Sequence, residues 1–135
     1  MNKRDLAIKY AWSYLGRWYK WGGDDPSGFD CSGLVIELLK AVGILPRGGF
    51  DTTAAGLFQR FKRRERIIPD AGYLAFWKSP KGLIEHVEFC IDNRHTIGAS
   101  GGCKKTETIA DAIKHNAFIK IRPIREGAIF LDPFL

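Results

Sequence analysis

The sequence predicts an α+β fold in which N-terminal helices pack on a central antiparallel sheet. Apolar residues in the first half of the chain recur every three or four positions, which is the helical period. In the second half the period changes to two, which is typical of strands with one buried face. A chain of 135 residues matches the size of one domain, so residues 1–135 are predicted to form a single domain.

Two helices are predicted in the first third of the chain. Apolar positions between Asp5 and Leu15 lie on one helical face, and Gly16 follows where a helix would end. A second helix is predicted from Cys31 to Val42, ending at Gly43. The glycines and the proline between these helices indicate a loop.

A third, shorter helix is predicted from Thr52 to Arg66, with Thr52 or Thr53 as its cap. Its end is strongly basic, which is typical of a solvated helix end because cations interact favourably with the negative pole of the helix dipole. A dedicated polyanion site is the alternative interpretation.

Four strands follow, with a hairpin turn between the second and the third. They are predicted at Ala71–Trp77, Val87–Asp92, His95–Ala99 and Ala117–Arg122. The turn is assigned to residues 92–94. A short helix over residues 106–114 is predicted before the last strand.

Composition and charge bound the function only broadly. The net charge of +6 favours polyanions, among them nucleic acid, anionic lipid and acidic wall polymers, without choosing between them. No interleaved aromatic and basic pattern indicates a specific nucleic-acid site. Three cysteines without a close pair argue against a disulfide framework or a zinc site, and no cofactor is predicted. No apolar run could span a membrane or serve as a signal core, so we expect cytoplasmic synthesis without a signal peptide.

Cys31 is the candidate nucleophile. It is predicted in the first turn of a helix, where unpaired backbone N–H groups and the helix dipole favour thiolate over thiol. The alternative is a small buried apolar residue, the usual role of a free cysteine. His86 is the candidate base because it begins an alternating strand, on the face opposite Val87 and Phe89.

Residues 19–23 (Tyr-Lys-Trp-Gly-Gly) and 28–35 (Gly-Phe-Asp-Cys-Ser-Gly-Leu-Val) resemble the nucleophile motif of the NlpC-type cell-wall peptidases. These are papain-like cysteine hydrolases of bacteria and their phages. Further similarities follow in order at residues 52–54, 69–77, 85–87 and 119–123. The resemblance covers nearly the whole chain and implies the papain-like NlpC-type fold.

The resemblance also implies an activity and roles for individual residues. The activity is endopeptidase cleavage of peptidoglycan stem peptides between γ-D-glutamate and a diamino acid. Cys31 would attack the carbonyl, and His86 would carry the proton. Tyr19, Asp30 and Ser32 match positions that bind the stem peptide, although packing for Tyr19 and helix capping for the other two are alternatives.

The third catalytic position departs from the family pattern. Its usual polar residue, often histidine, is replaced here by Gly98. Candidates for orienting the imidazole are Ser100, on the same strand face as Gly98, and Glu88, which shares a face with His86 and replaces a usual glycine. In a hairpin that turns near residue 93, His86 is expected to lie opposite Gly98 or Ala99. His95 is rejected because three strand positions place it roughly 10 Å from there.

The segment at residues 97–102 is similar to phage and prophage members of the family. That similarity implies delivery on a virion tail or after host lysis, with phage tail proteins as partners. Two other functions stay open: a papain-like acyltransferase or amidase acting on another substrate, and a non-catalytic basic module for binding or tail assembly. The oligomeric state is not predicted.

Overall fold

The computed structural model describes residues 1–17, 24–25, 28–48, 51–100, 109–114 and 117–135. Its helices are α1 (Lys3–Ser13), α2 (Cys31–Ala41), α3 (Ala54–Phe61) and α4 (Ile109–Lys114). A 3₁₀ turn over Lys62–Arg64 continues directly from α3. Within the described ranges, no helix combines the length and the apolar character that a bilayer crossing requires.

The strands form a small ladder and one large sheet. The ladder joins β1 (Asp24–Asp25) to β2 (Gly28–Phe29). The remaining strands are β3 (Glu65–Arg66), β4 (Leu74–Lys78), β5 (Ile84–Cys90), β6 (His95–Ser100), β7 (Phe118–Pro123) and β8 (Ile129–Leu131). They form a six-stranded sheet in the order β3-β8-β4-β5-β6-β7, and every neighbouring pair is antiparallel. The predicted α+β class is confirmed.

Each of the three longer helices begins at a side-chain cap. Asn2, Asp30 and Thr53 precede α1, α2 and α3, and the side-chain oxygen of each accepts the backbone N–H three residues later. The three N···O distances lie between 2.6 and 3.0 Å. An N-cap of this kind stabilises a helix by about 1 kcal/mol because it satisfies an N–H group that the helix itself leaves unpaired. The start of α2, and with it Cys31, is therefore fixed by sequence.

The main core lies between the helices and one face of the sheet. Its largest fully buried side chains are Leu34, Ile36, Leu38, Leu39, Leu57, Leu74, Phe76, Phe89, Ile97, Ile119 and Leu131. In β5, Val87 and Phe89 belong to this core, whereas Cys90 belongs to a smaller cluster with Ala75 and Phe130. Because side chains alternate along a strand, His86 and Glu88 share the face of Cys90. Core packing thus directs two titratable side chains to one side of the sheet.

The predicted end of the third helix is wrong. Helix α3 ends at Phe61, and Glu65 and Arg66 form a strand instead of a helical turn. Their partners are Leu131 and Phe130 in β8, a strand that the sequence pattern does not predict. Backbone pairing with a segment far along the chain therefore overrides the local helical preference of residues 62–66.

The other predicted elements are confirmed with shifted ends. Strand β5 begins three residues earlier than predicted, and β4 begins three residues later, at Leu74, because a turn around Gly72 precedes it. The backbone of Gly72 has φ +87°, a conformation that glycine adopts without strain. The hairpin turn is also confirmed, since Asp92 accepts the backbone N–H groups of Arg94 and His95, both at 2.7 Å. For the short helix, residues 106–108 lie outside the described ranges and α4 accounts for the rest.

Candidate active site

Cys31 is the first residue of α2, as the sequence predicts. Its side chain is half-buried and packs against the main core. The backbone N–H of Gly33 is taken by the Asp30 carboxylate and that of Leu34 by the Asp30 carbonyl. The thiol therefore stands at the N-terminal end of an ordered, capped helix, the end at which the helix dipole is positive.

Asp30 and Ser32 are engaged in the helix start. Oδ1 of Asp30 accepts the backbone N–H of Gly33 at 2.6 Å and the hydroxyl of Ser32 at 3.3 Å. Ser32 is almost fully buried. The capping role considered for Asp30 is thus present, whereas Ser32 supports the cap by donating its hydroxyl to the Asp30 carboxylate. Contact of either residue with substrate stays a prediction. Tyr19, the third predicted substrate-binding residue, lies outside the described residues.

The structure brings His86 to Cys31. Hydrogen-bond and charge interactions with the Cys31 thiol contribute to the raised pKa of His86, so the two side chains lie close to each other, and Nε2 of the imidazole lies 2.6 Å from Oε2 of Glu88. Since Nε2 faces the carboxylate, Nδ1 is the ring nitrogen available to a second partner. The indole of Trp77 stands beside the imidazole, with ring centroids 5.7 Å apart. Cys31, His86 and Glu88 therefore form a continuous chain of interacting groups.

Glu88 is the most heavily bonded group of the site. Its side chain is only 1% exposed. Oε1 accepts the hydroxyl of Thr96 at 2.6 Å, and Oε2 accepts N–H groups of Arg122 and, at 3.1 Å, of Arg125. A buried carboxylate is costly unless it is paired and hydrogen-bonded, and here both conditions are met.

Gly98 provides the space that Glu88 occupies. A Cβ placed on Gly98 would stand 2.5 Å from Cγ and 2.9 Å from Cδ of Glu88, closer than real Cβ atoms come to other heavy atoms. The pairs Phe89–Ile97 and Cys90–Thr96 set the register of β5 and β6, and its continuation places Gly98 opposite Glu88. The expectation that Gly98 or Ala99 lies opposite His86 is therefore wrong by one or two positions.

The two orienting candidates have different outcomes. Glu88 is in hydrogen-bonding contact with the imidazole. The same register places the backbone of Ser100 opposite His86, but its side chain lies outside the described part of the structure. The rejection of His95 agrees with its position, because its Nδ1 lies 3.2 Å from the Asp92 carboxylate at the hairpin turn.

Cys90 is a packing residue. Its side chain is fully buried between Ala75 and Phe130. Burial, together with the nearby charges of Glu88, Asp92 and Asp70, raises the pKa of the Cys90 thiol to about 12. Because a thiol with so high a pKa stays protonated at neutral pH, Cys90 does not compete with Cys31 as a nucleophile.

The pKa values of His86 and Glu88 move in opposite directions. Burial alone lowers the pKa of His86, but hydrogen bonds and charge interactions with Cys31 and Glu88 raise it overall to about 9. Burial alone raises the pKa of Glu88, but His86, Thr96 and Arg122 lower it overall to about 2. The resting site therefore holds an imidazolium beside a carboxylate at neutral pH.

This pairing predicts a pH dependence of folding stability. The pKa of His86 rises from 6.5 to about 9 on folding. The contribution of the charged imidazole to the free energy of unfolding is therefore complete below pH 6.5 and is lost as the pH rises through 9. The contribution is on the order of 1–3 kcal/mol. Urea unfolding at pH 6.5 and pH 9.5 should show a larger loss of stability in the wild type than in His86→Ala. His95→Ala should lose as much as the wild type, and equal losses in all three proteins would contradict the prediction.

Four residues of the site were not found from the sequence: Trp77, Thr96, Arg122 and Arg125. One signal was present, since a glutamate on a mostly apolar strand requires cationic or hydroxyl partners if it is buried. Alternation in β6 and β7 places Thr96 and Arg122 on the face of Glu88, but identifying that face requires the strand register. Arg125 follows the last residue of β7, and its guanidinium lies 4.4 Å from the centroid of the Trp77 ring.

Comparison with known proteins adds relatives in sequence. The model of the NlpC/P60 family matches residues 16–122. The probable endopeptidase p60 of Listeria innocua is 32% identical over 106 residues, which are 78% of this chain and 21% of that protein. The probable peptidoglycan endopeptidase LytE of Bacillus subtilis is 32% identical over 92 residues, which are 68% of this chain and 26% of that protein. The chain thus spans about a fifth to a quarter of the length of these relatives.

A solved structure shares the fold. RipD of Mycobacterium tuberculosis, described as a non-catalytic NlpC/p60 domain protein adapted to peptidoglycan binding, superposes with a TM-score of 0.65 at 18% identity. The match covers 97% of each chain. At this identity the likeness establishes the fold of helices on an antiparallel sheet and nothing about catalysis.

Proposed function

The chain belongs to the NlpC/P60 family, and from that premise we propose that it is a cysteine endopeptidase that hydrolyses peptidoglycan stem peptides. The observation that carries the proposal is the interaction between Cys31, at the N-terminus of α2, and the imidazole of His86 on β5. Nucleophile and base within hydrogen-bonding reach, with a third group orienting the base, are the arrangement that acyl transfer requires. The endopeptidase relatives support the same reaction class.

The proposed reaction runs through an acyl-enzyme. The Cys31 thiolate attacks the carbonyl carbon of the amide, a C–S bond forms, and the C=O electrons move onto oxygen. As the tetrahedral intermediate collapses, the C–N bond breaks and the imidazolium of His86 gives its proton to the leaving amine. The neutral imidazole then takes a proton from water, whose oxygen attacks the thioester. Collapse breaks the C–S bond and releases the carboxyl product, and the proton on His86 restores the resting pair.

The start of α2 also offers stabilisation of the oxyanion. First-turn N–H groups have no acceptor within a helix, and Asp30 takes those of Gly33 and Leu34. The N–H groups of Cys31 and Ser32 are therefore our candidates for the oxyanion hole. We propose further that Tyr19, Asp30 and Ser32 contact the stem peptide, with the Asp30 carboxylate attracting a free ammonium group while it caps the helix.

Digestion of a defined muropeptide tests the function and the bond. We expect cleavage between γ-D-glutamate and the diamino acid, because this is the specificity that the family resemblance implies. Mass analysis of the products would show one new amino terminus on the diamino acid. Cleavage at another amide would support the peptidase activity but contradict the proposed bond specificity.

The absence of any cleavage, combined with saturable binding to purified wall, would favour a wall-binding module such as the one described for RipD. Acyl transfer to an added amine without hydrolysis would favour the acyltransferase alternative. Of the three functions, we favour the hydrolase because the cysteine and the histidine are brought together, which a binding module does not require, and because the relatives in sequence are named endopeptidases.

The phage-related expectations stay predictions from the sequence. They comprise a phage or prophage origin, phage tail proteins as partners, and a route to the wall on a virion or after lysis. We propose them only as a consequence of the similarity at residues 97–102. Detection of the protein in purified virions would test them.

A further inference from the structure

We propose that Glu88 is the positioning residue of the catalytic pair, supplied by the same strand as His86, and that Gly98 is required to leave space for its side chain. The inference rests on the proposed chemistry of Cys31 and His86. The family pattern puts the third functional group on the neighbouring strand, where this sequence has only a glycine, Gly98. The inference assigns that function to Glu88, on the strand of His86.

Glu88 contacts the imidazole from the strand that also contributes His86. Two residues along one strand project on the same face, so Glu88 follows His86 on its own side of the sheet. Its Oε2 lies 2.6 Å from Nε2 of His86, a distance typical of a charge-assisted hydrogen bond. The bond fixes the ring rotation and keeps a proton on Nε2, which leaves Nδ1 as the ring nitrogen available to the thiol.

The Glu88 carboxylate is itself held by side chains from three other segments. Thr96 donates to Oε1, and Arg122 and Arg125 donate to Oε2, so Glu88 is bound from β6, β7 and the segment after β7. Arg125 is in turn placed by Trp77, whose indole N–H donates to the carbonyl of Glu126 at 3.1 Å. Among the described residues, His86 and Cys90 are further titratable groups near this carboxylate.

The Glu88 side chain occupies the space that Gly98 leaves open. Any side chain there would have to displace the Glu88 side chain, which stands 2.5 Å from an added Cβ. Glu88 cannot give way cheaply because it is buried and bonded on both oxygens. Glu88 can therefore take its orienting position on β5 only because residue 98 on β6 has no side chain.

Two substitutions at Glu88 separate its charge from its hydrogen bond. Glu88→Gln keeps an acceptor for Nε2 and places the amide NH₂ toward the Thr96 hydroxyl, which can accept. It removes the negative charge, so the pKa of His86 should fall and the alkaline limb of the kcat/KM profile should move to lower pH. We expect a loss of about tenfold in kcat/KM for Gln and roughly 10²- to 10⁴-fold for Glu88→Ala.

The test measures wall-peptide hydrolysis and, separately, the rate of Cys31 alkylation by iodoacetamide between pH 5 and 10. The second readout needs no peptidoglycan and reports the thiolate–imidazolium pair directly. Both Glu88 variants should slow alkylation at pH 7, and Gly98→Ala should do the same. Glu85→Gln is the matched control because Glu85 lies exposed on the same strand. Circular dichroism would verify folding, and the Glu88 series decides the matter if Gly98→Ala fails to fold.

The outcomes distinguish this inference from the proposed function. Alkylation that depends on Glu88 in a protein that cleaves no wall peptide would support the positioning role and reject the peptidase. A wild type that cleaves stem peptides, with Glu88→Ala within threefold of it and the same alkylation profile, would overturn the positioning role and keep the peptidase.

Discussion

Replacing Cys31 with alanine is expected to abolish the release of new amino termini from purified peptidoglycan while the fold is retained. The substitution removes the sulfur that forms the acyl-enzyme, so the expected loss is roughly 10⁴- to 10⁶-fold, the range that removal of a catalytic nucleophile causes in well-studied proteases. Folding should be preserved because the Asp30 cap uses backbone N–H groups and does not involve the thiol. Amine release is measured with a fluorogenic amine reagent on a purified wall suspension.

Cys90→Ala is the matched control for that experiment. It removes the other thiol in the described part of the chain, and a buried methyl-sized change should leave hydrolysis within about twofold of the wild type because Cys90 takes no part in the reaction. Amine release by Cys31→Ala at the wild-type rate would refute the nucleophile. Equal losses in both variants would indicate damage to the fold.

The second large effect is expected for His86→Ala. Without the imidazole, the thiol loses the group that stabilises its charge and the leaving amine loses its proton donor, so kcat should fall by roughly 10³-fold or more. Alkylation of Cys31 at pH 7, followed by mass spectrometry of its peptide, should also slow. The two measurements together separate loss of the base from loss of substrate binding, because alkylation requires no substrate.

His95→Ala is the natural control for His86. His95 is exposed at the hairpin turn and contacts Asp92, away from the thiol. It should hydrolyse wall peptides at the wild-type rate and should be alkylated at Cys31 as the wild type is. If His86→Ala retained wild-type alkylation while hydrolysis fell, the imidazole would act only on the leaving group and not on the thiolate.

The features of the fold that depend on residues near each other in the chain were predicted from the sequence. The second helix, its start at Cys31 and the placement of His86 on the face away from Val87 all follow from apolar spacing, capping and strand alternation. The hairpin turn at Asp92 followed from turn-forming residues in the same way. These features depend on residues a few positions apart, so a single sequence contains the information.

What the sequence could not predict depends on contacts between distant segments. Strand β8 stabilises Glu65 and Arg66 in an extended conformation, and no pattern near residue 65 indicates it. The predicted register of β5 against β6 was wrong by one or two positions, so the sequence did not show that Gly98 lies next to the Glu88 side chain. The arginines at positions 122 and 125 could not be assigned to Glu88 for the same reason.

The placement of Glu88 on the strand of His86 has a consequence for recombination between related domains. A segment exchange that carries residues 84–90 would transfer the base and its partner together, since both belong to β5. An exchange of β6 alone would bring a side chain from a relative into the position of Gly98, against Glu88. Chimaeras joined between these two strands should therefore lose activity unless the donor also has glycine at that position, which gives domain shuffling a preferred boundary outside residues 84–100.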